Sequence, residues 1–114
     1  MNEYVNVLQT IDSPSALTQE EGDLVYQKII VAFEKGSRIT IDFDGIESII
    51  SPFLNNCIGQ LYGKYDTEKI KEYLDLKNFP KTKNSTLNVV ISNAKRFYAD
   101  PSGYKKIAKE VIEN

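Results

Sequence analysis

The stretch Arg38-Ile39-Thr40-Ile41-Asp42-Phe43-Asp44-Gly45-Ile46-Glu47-Ser48-Ile49-Ile50-Ser51-Pro52-Phe53-Leu54 constrains the fold more than any other part of the chain. Ile39, Ile41 and Phe43 recur at every second position and are β-branched or aromatic, so they call for a strand with one buried face. Asp44-Gly45 is a turn pair, since glycine adopts positive φ without steric cost. Ser51-Pro52 then reads as a helix cap followed by a residue whose fixed φ suits the first helical turn. A strand that feeds a helix in this way is the repeating step of α/β domains, and the outer ends of such strands are where ligands and partners are usually met.

The flanking sequence extends the pattern. Tyr4 to Ile11 has the β-branched and aromatic content of an edge or second strand, weakened by Asn6 and Gln9. Thr18-Gln19-Glu20-Glu21 has capping-box spacing, and Val25, Ile29, Ala32 and Phe33 share one helical face that Leu24, Ile30 and Val31 widen. With Gly36 as its stop, this predicts a helix over residues 18–35. Leu54, Cys57, Ile58, Leu61, Tyr62 and Tyr65 follow the helical series through a second helix. Gly59 and Gly63 would each cost about 1 kcal/mol there relative to alanine, which marks close packing or an early end.

Asp66 or Thr67 opens a short third helix with Ile70, Tyr73 and Leu74, and residues 75–79 form a third strand closed by Pro80. Residues 81–85 are polar and expected to be exposed. From Thr86, the residues Leu87, Val90, Ile91, Ala94, Phe97 and Tyr98 define another helix. Asp100-Pro101 starts a last one, striped by Tyr104, Ile107, Ala108, Val111 and Ile112. The expectation is a single α/β domain over residues 1–114: a small, mostly parallel sheet of about three strands with right-handed crossovers, packed with helices and ending in a helical C-terminus.

Composition narrows the chemistry. The 114 residues contain no histidine, which removes serine-histidine and cysteine-histidine nucleophile systems and most zinc sites. The single cysteine, Cys57, lies in an apolar helical pattern and reads as a small buried hydrophobe. A net charge of −2 favours neither nucleic acid nor membrane, although residues 1–63 carry −6 and residues 64–114 carry +4. No signal peptide or membrane-length apolar run is visible, so a cytoplasmic protein is expected.

With this order of elements, Ile39-Thr40-Ile41-Asp42-Phe43-Asp44-Gly45-Ile46, then Ile49, Ile50, Ser51 and the Phe53-Leu54 helix start, resembles the core of STAS domains, the fold of bacterial anti-sigma factor antagonists. The continuation through Phe53–Leu61 and Ile70–Phe79 is closer to the STAS-like family of bacterial and phage proteins, described as a domain of unknown function. The resemblance covers residues 36–79 and implies a protein-binding signalling module, commonly partnered by a histidine-kinase-like ATPase that phosphorylates a serine at the start of the central helix. Here the Asp-Ser-Ser-Gly run of that pattern is replaced by Ile50-Ser51-Pro52-Phe53, so the usual acceptor position is a proline and the acidic neighbour an isoleucine. Ser51 is then either a helix cap or the adjacent phosphoacceptor.

The expected contact surface is Asp44, Glu47, Ser48, Asn55 and Asn56 around Ser51, for a protein partner or a second copy of the chain, with no catalytic residue, cofactor or metal. Other readings compete with it. Asp42-Phe43-Asp44-Gly45 also resembles the first motif of haloacid-dehalogenase-type phosphotransferases, with Asp42 as nucleophile, Asp44 as acid/base and Mg²⁺ on the phosphate. Ile46 departs from that motif, and the chain is shorter than that family's minimal core. A bare Mg²⁺ or Ca²⁺ site from Asp42, Asp44 and Glu47 is weighed against their roles as strand-end and turn residues. Lys95, Arg96, Lys105, Lys106 and Lys109, interleaved with Phe97, Tyr98 and Tyr104, would form a nucleic-acid surface if they were more than solvated helix faces. Tyr62 and Tyr65 are expected as exposed aromatic anchors.

Overall fold

The computed structural model describes residues 1–99. The chain begins with β1 (Asn2–Asn6), passes through a short helix α1 (Val7–Ile11) and a two-residue strand β2 (Ser15–Ala16), and enters the long helix α2 (Gln19–Glu34). Next come β3 (Arg38–Asp42), the two-residue β4 (Ser48–Ile49), α3 (Ser51–Cys57) and a 3₁₀ turn over Gly59–Gly63. Helix α4 (Thr67–Tyr73) leads directly into β5 (Leu74–Lys77), and a 3₁₀ turn at Lys81–Lys83 opens α5 (Asn84–Ala99). The main sheet has the order β1-β3-β5 and is parallel throughout, while β2 and β4 pair as a separate parallel ladder. The α/β class, the small parallel sheet and the helical end of the described chain are as the sequence predicts. The proposed last helix, with Tyr104, Lys105, Lys106 and Lys109, lies outside the described residues.

Register explains the alternation in β3. Tyr4 pairs with Thr40 and Thr40 with Asp75, so Asn2, Tyr4, Asn6, Arg38, Thr40, Asp42, Asp75 and Lys77 share one polar face. The opposite face carries Val5, Ile39, Ile41, Leu74 and Leu76. Ile39, Ile41 and Phe43, which follows β3, are buried in one cluster with Val25, Ile29, Ala32 and Phe33 of α2 and with Leu54 and Cys57 of α3. The capping box of α2 is complete: Thr18 Oγ1 accepts from the Glu21 N–H and Glu21 Oε1 accepts from the Thr18 N–H. Gly36 takes φ 73° after the helix, the conformation for which glycine is suited.

Several boundaries differ from expectation. The N-terminal strand stops at Asn6 instead of running to Ile11, because the Asn6 side chain accepts from the Gln9 N–H and caps α1. The second helix ends at Cys57, and the rest of its apolar series continues through a 3₁₀ turn, which keeps Ile58 and Leu61 buried while changing the hydrogen-bond step. The third strand is Leu74–Lys77, one residue earlier than its expected start and two short of its expected end. Cys57 is fully buried, and burial pushes its thiol pKa up. Among the described residues no helix is long and apolar enough to cross a membrane.

Candidate functional site

The C-terminal end of the sheet is organised by Asp42, the last residue of the central strand. Its side chain is buried, yet both carboxylate oxygens are occupied. The Tyr4 hydroxyl donates to Oδ2, and Oδ1 accepts from Asn78 Nδ2 at 2.8 Å and from the Asp44 N–H at 2.9 Å. One carboxylate therefore ties together β1, β3 and the residue just beyond β5. The Tyr4 hydroxyl, then Asn78, holds the Asp42 carboxyl below its usual range, and the same bond raises the tyrosine's pKa. A carboxylate spent in this way is a structural tie and is poorly disposed to act as a nucleophile. Among the described residues no three His, Cys, Asp or Glu side chains gather into a ligand group, so Asp42, Asp44 and Glu47 are not brought together.

From this tie the chain turns outward. Gly45 takes φ 83°, and the Ile46 N–H returns to the Phe43 carbonyl at 3.0 Å. The Pro14 carbonyl then accepts from the Glu47 N–H at 2.7 Å and the Ser48 N–H at 3.3 Å, which pins the acidic turn to the loop before β2. Pairing of β2 with β4 sets Ala16 against Ile49, and the Ile50 N–H continues that ladder to the Ala16 carbonyl at 3.2 Å. The next residues, Leu17 and Ile50, are consequently neighbours at the surface, 45% and 39% exposed. Asp44, Glu47, Ser48, Ser51 and Asn55 are exposed around them.

The cap assignment needs correction. Ile50 occupies the cap position in extended conformation with no side-chain cap bond, and Ser51 is the first residue of α3, followed by Pro52. Ser51 is thus not the cap residue, and it is exposed next to Ile50. Asn56 is also reassigned: it is half-buried, and its Nδ2 donates to Asp23 Oδ1 at 3.1 Å and to the Gln19 carbonyl at 3.4 Å. Gln60 Nε2 reaches the same Asp23 oxygen at 2.9 Å, so Asn56 and Gln60 clamp α3 and its extension onto α2. Asn55 is free to face outward and borders a cleft of about 260 Å³ between α3 and α5, with Gln60, Asn93 and Tyr98.

Tyr62 and Tyr65 are half-buried and packed on the core, not exposed anchors. Tyr65 meets Phe33 edge-to-face at 4.9 Å, and the Lys69 ammonium stands 4.8 Å from the Tyr73 ring and 5.7 Å from that of Tyr65. Lys95 and Arg96 are exposed on α5, with the Lys95 ammonium 5.9 Å from the Tyr62 ring. Sequence reasoning missed Leu17 and Ile50 as surface residues. Ile50 enters the sequence reading through the family resemblance, within the Ile49-Ile50-Ser51 run and as the replacement of an acidic residue, and Leu17 has no periodic signal, because its exposure follows from the β2–β4 pairing.

Neither the curated proteins nor the solved structures contain a match to the chain. The family described as a STAS-like domain of unknown function (DUF4325) matches residues 21–83, from the first turn of α2 to the turn before α5. That match includes the central strand, the acidic turn, α3 and β5, and covers more than half of the sequence; the chain belongs to this STAS-like family.

Proposed function

We propose that this domain is a non-catalytic regulatory module that captures a protein partner through the face running from Asp44 to Asn55. The observation that carries the reading is the Leu17–Ile50 pair, two large apolar side chains left exposed on a backbone fixed by the Pro14 and Ala16 carbonyls. Exposed apolar side chains rimmed by polar groups are the usual centre of a protein contact. Asp44 and Glu47 on the rim favour a partner with basic side chains around an apolar patch, because complementary charge steers association. The likeness to anti-sigma factor antagonists suggests a histidine-kinase-like ATPase as the partner class. A phosphate on Ser51 would place negative charge beside the first-turn N–H groups of α3 and against the apolar pair, altering capture.

Affinity capture from cells, with Ile50→Lys, Glu47→Lys and Ser51→Asp compared with the parent chain, tests the reading. Each substitution is expected to cut recovery of the same partner about ten-fold while the circular dichroism spectrum is unchanged. Full recovery by all three folded variants would exclude this face. The saturated Asp42 carboxylate supports setting phosphotransfer aside, and Mg²⁺-dependent turnover of a phosphate ester that is lost in Asp42→Asn would reinstate it.

A further inference from the structure

A separate feature lies along the outer edge of the sheet. Among the described residues β1 pairs only with β3, which leaves its outer edge open. The Arg38 N–H donates to the Met1 carbonyl at 2.9 Å, which sets the phase of the parallel ladder. Odd-numbered residues of β1 bond to β3, and Asn2, Tyr4 and Asn6 turn their backbone groups to the open edge. The other outer strand, β5, is blunted by Asp75, Lys77 and the nearby Pro80. β1 has no proline and a single charge, Glu3, so it lacks the usual protection of an edge.

Large apolar side chains are exposed beside this edge on both faces of the sheet. Tyr4 is 58% exposed, and α2 presents Leu24 and Val31, 52% and 47% exposed, on the helical stripe that also holds Lys28. A groove of about 400 Å³ runs between β1 and α2, lined by Glu3, Tyr4, Val5, Gln27, Lys28 and Val31. Neither Glu3 nor Lys28 forms an ion pair among the described residues, where the pairs are Arg38–Glu72 and Lys64–Glu34.

We propose that two copies of this chain associate through β1, antiparallel about a two-fold axis at Tyr4, to make one continuous sheet. The open edge is self-complementary in this register. Reciprocal N–H to C=O bonds join the two Tyr4 backbones, and the Asn6 N–H of each copy meets the Asn2 carbonyl of the other, while the Asn6 carbonyl is already occupied by the Thr10 hydroxyl. An axis perpendicular to the sheet keeps both α2 helices on the same side, where their exposed stripes face each other. It also brings Glu3 of one copy opposite Val5 of the other, next to that copy's Lys28, so the unpaired charges form two equivalent ion pairs. This surface shares no residue with the Leu17–Ile50 face.

Sedimentation equilibrium of the full chain tests the assembly. The parent is expected at the mass of two chains in the micromolar range. Glu3→Lys and Lys28→Glu, each setting like charges against each other twice, are each expected to weaken association about ten-fold, and combining them is expected to restore it. In the parent, amide exchange at Tyr4 and Asn6 should slow as protein concentration rises, a readout that needs no substitution. A single-chain mass at all concentrations overturns the proposal, and so does a dimer indifferent to both charge reversals.

Discussion

Gly22 of α2 offers the most direct test of how the two core helices fit. A methyl group there would lie 2.5 Å from the Phe53 carbonyl oxygen, 3.0 Å from Asn56 Cβ and 3.2 Å from the Cys57 nitrogen. Two of these neighbours are backbone atoms and cannot rotate away. A carbon–oxygen contact settles near 3.3 Å, so Gly22→Ala must push α3 from α2 by roughly 0.8 Å. That separation stretches the Asn56 and Gln60 bonds to Asp23 and opens the seam around Val25 and Leu54, both fully buried. Overpacking of this kind costs about 1–3 kcal/mol, against which alanine's helix propensity returns about 1 kcal/mol.

Because the 2.5 Å contact is with a backbone oxygen that cannot rotate away, the overpacking cost falls in the upper part of that range, about 2–3 kcal/mol, and the net expectation is a loss of about 1–2 kcal/mol, read as a lowered urea midpoint with an unchanged slope. Gly59→Ala is the internal control. Its added methyl meets Asn55 Oδ1 and Val90 at 3.7 Å and Ala94 at 3.8 Å, ordinary contact distances, so stability should hold or rise. A Gly22→Ala variant as stable as the parent, or more so, would falsify the close approach of α2 and α3 described here.

Further outcomes follow from named atoms. Asp42→Ala strands the Tyr4, Asn78 and Asp44 donors and is expected to cost about 3 kcal/mol in urea unfolding. Because the folded-state pKa of Asp42 is depressed, its contribution is complete above the unfolded value of about 3.9 and is lost as pH falls through the folded value; an Asp42→Asn variant should show a flatter acid limb. Cys57 is buried with a raised pKa, so reaction with a disulfide reagent at neutral pH should occur only at the rate of unfolding, and rapid labelling of the folded chain would contradict its packing. The Tyr65 hydroxyl is buried with no hydrogen-bond partner among the described residues, so Tyr65→Phe is expected to leave the thermal midpoint unchanged or raise it.

The apolar positions of α2, β3 and α3 were readable because burial imposes a period on the sequence. Val25, Ile29, Phe33, Ile39, Ile41, Leu54, Cys57 and Leu61 all reach the core. Hydrogen-bond geometry was less legible: Leu61 stays buried whether its turn is α or 3₁₀, so periodicity cannot show that α3 stops at Cys57. Asn6 interrupts the alternation of the first strand, and only its cap bond to the Gln9 N–H reveals it as the end of β1. The candidate face was visible at Asp44, Glu47 and Ser51, whose types suit a turn and a helix start. Its apolar centre was not, because Leu17 and Ile50 meet through a two-residue ladder with no pattern of its own.

The Asp42-Phe43-Asp44-Gly45 run shows why motif and structure part company here. Asp42 turns into the polar tie, Phe43 into the core against Phe79 at 5.0 Å, and Asp44 out to solvent, so the two carboxylates that read as a catalytic pair serve separate purposes. They are still coupled, because Asp42 Oδ1 holds the Asp44 N–H and so helps set the turn that presents Asp44 and Glu47. A loss of partner capture in an Asp42 variant therefore reports on the shape of the turn as well as on contact. Glu47→Lys alters only an exposed side chain whose backbone is held by the Pro14 carbonyl, and it isolates the contact itself. If Asp42→Asn stays folded and loses capture while Glu47→Lys retains it, the turn's geometry, and not its charge, is what the partner reads.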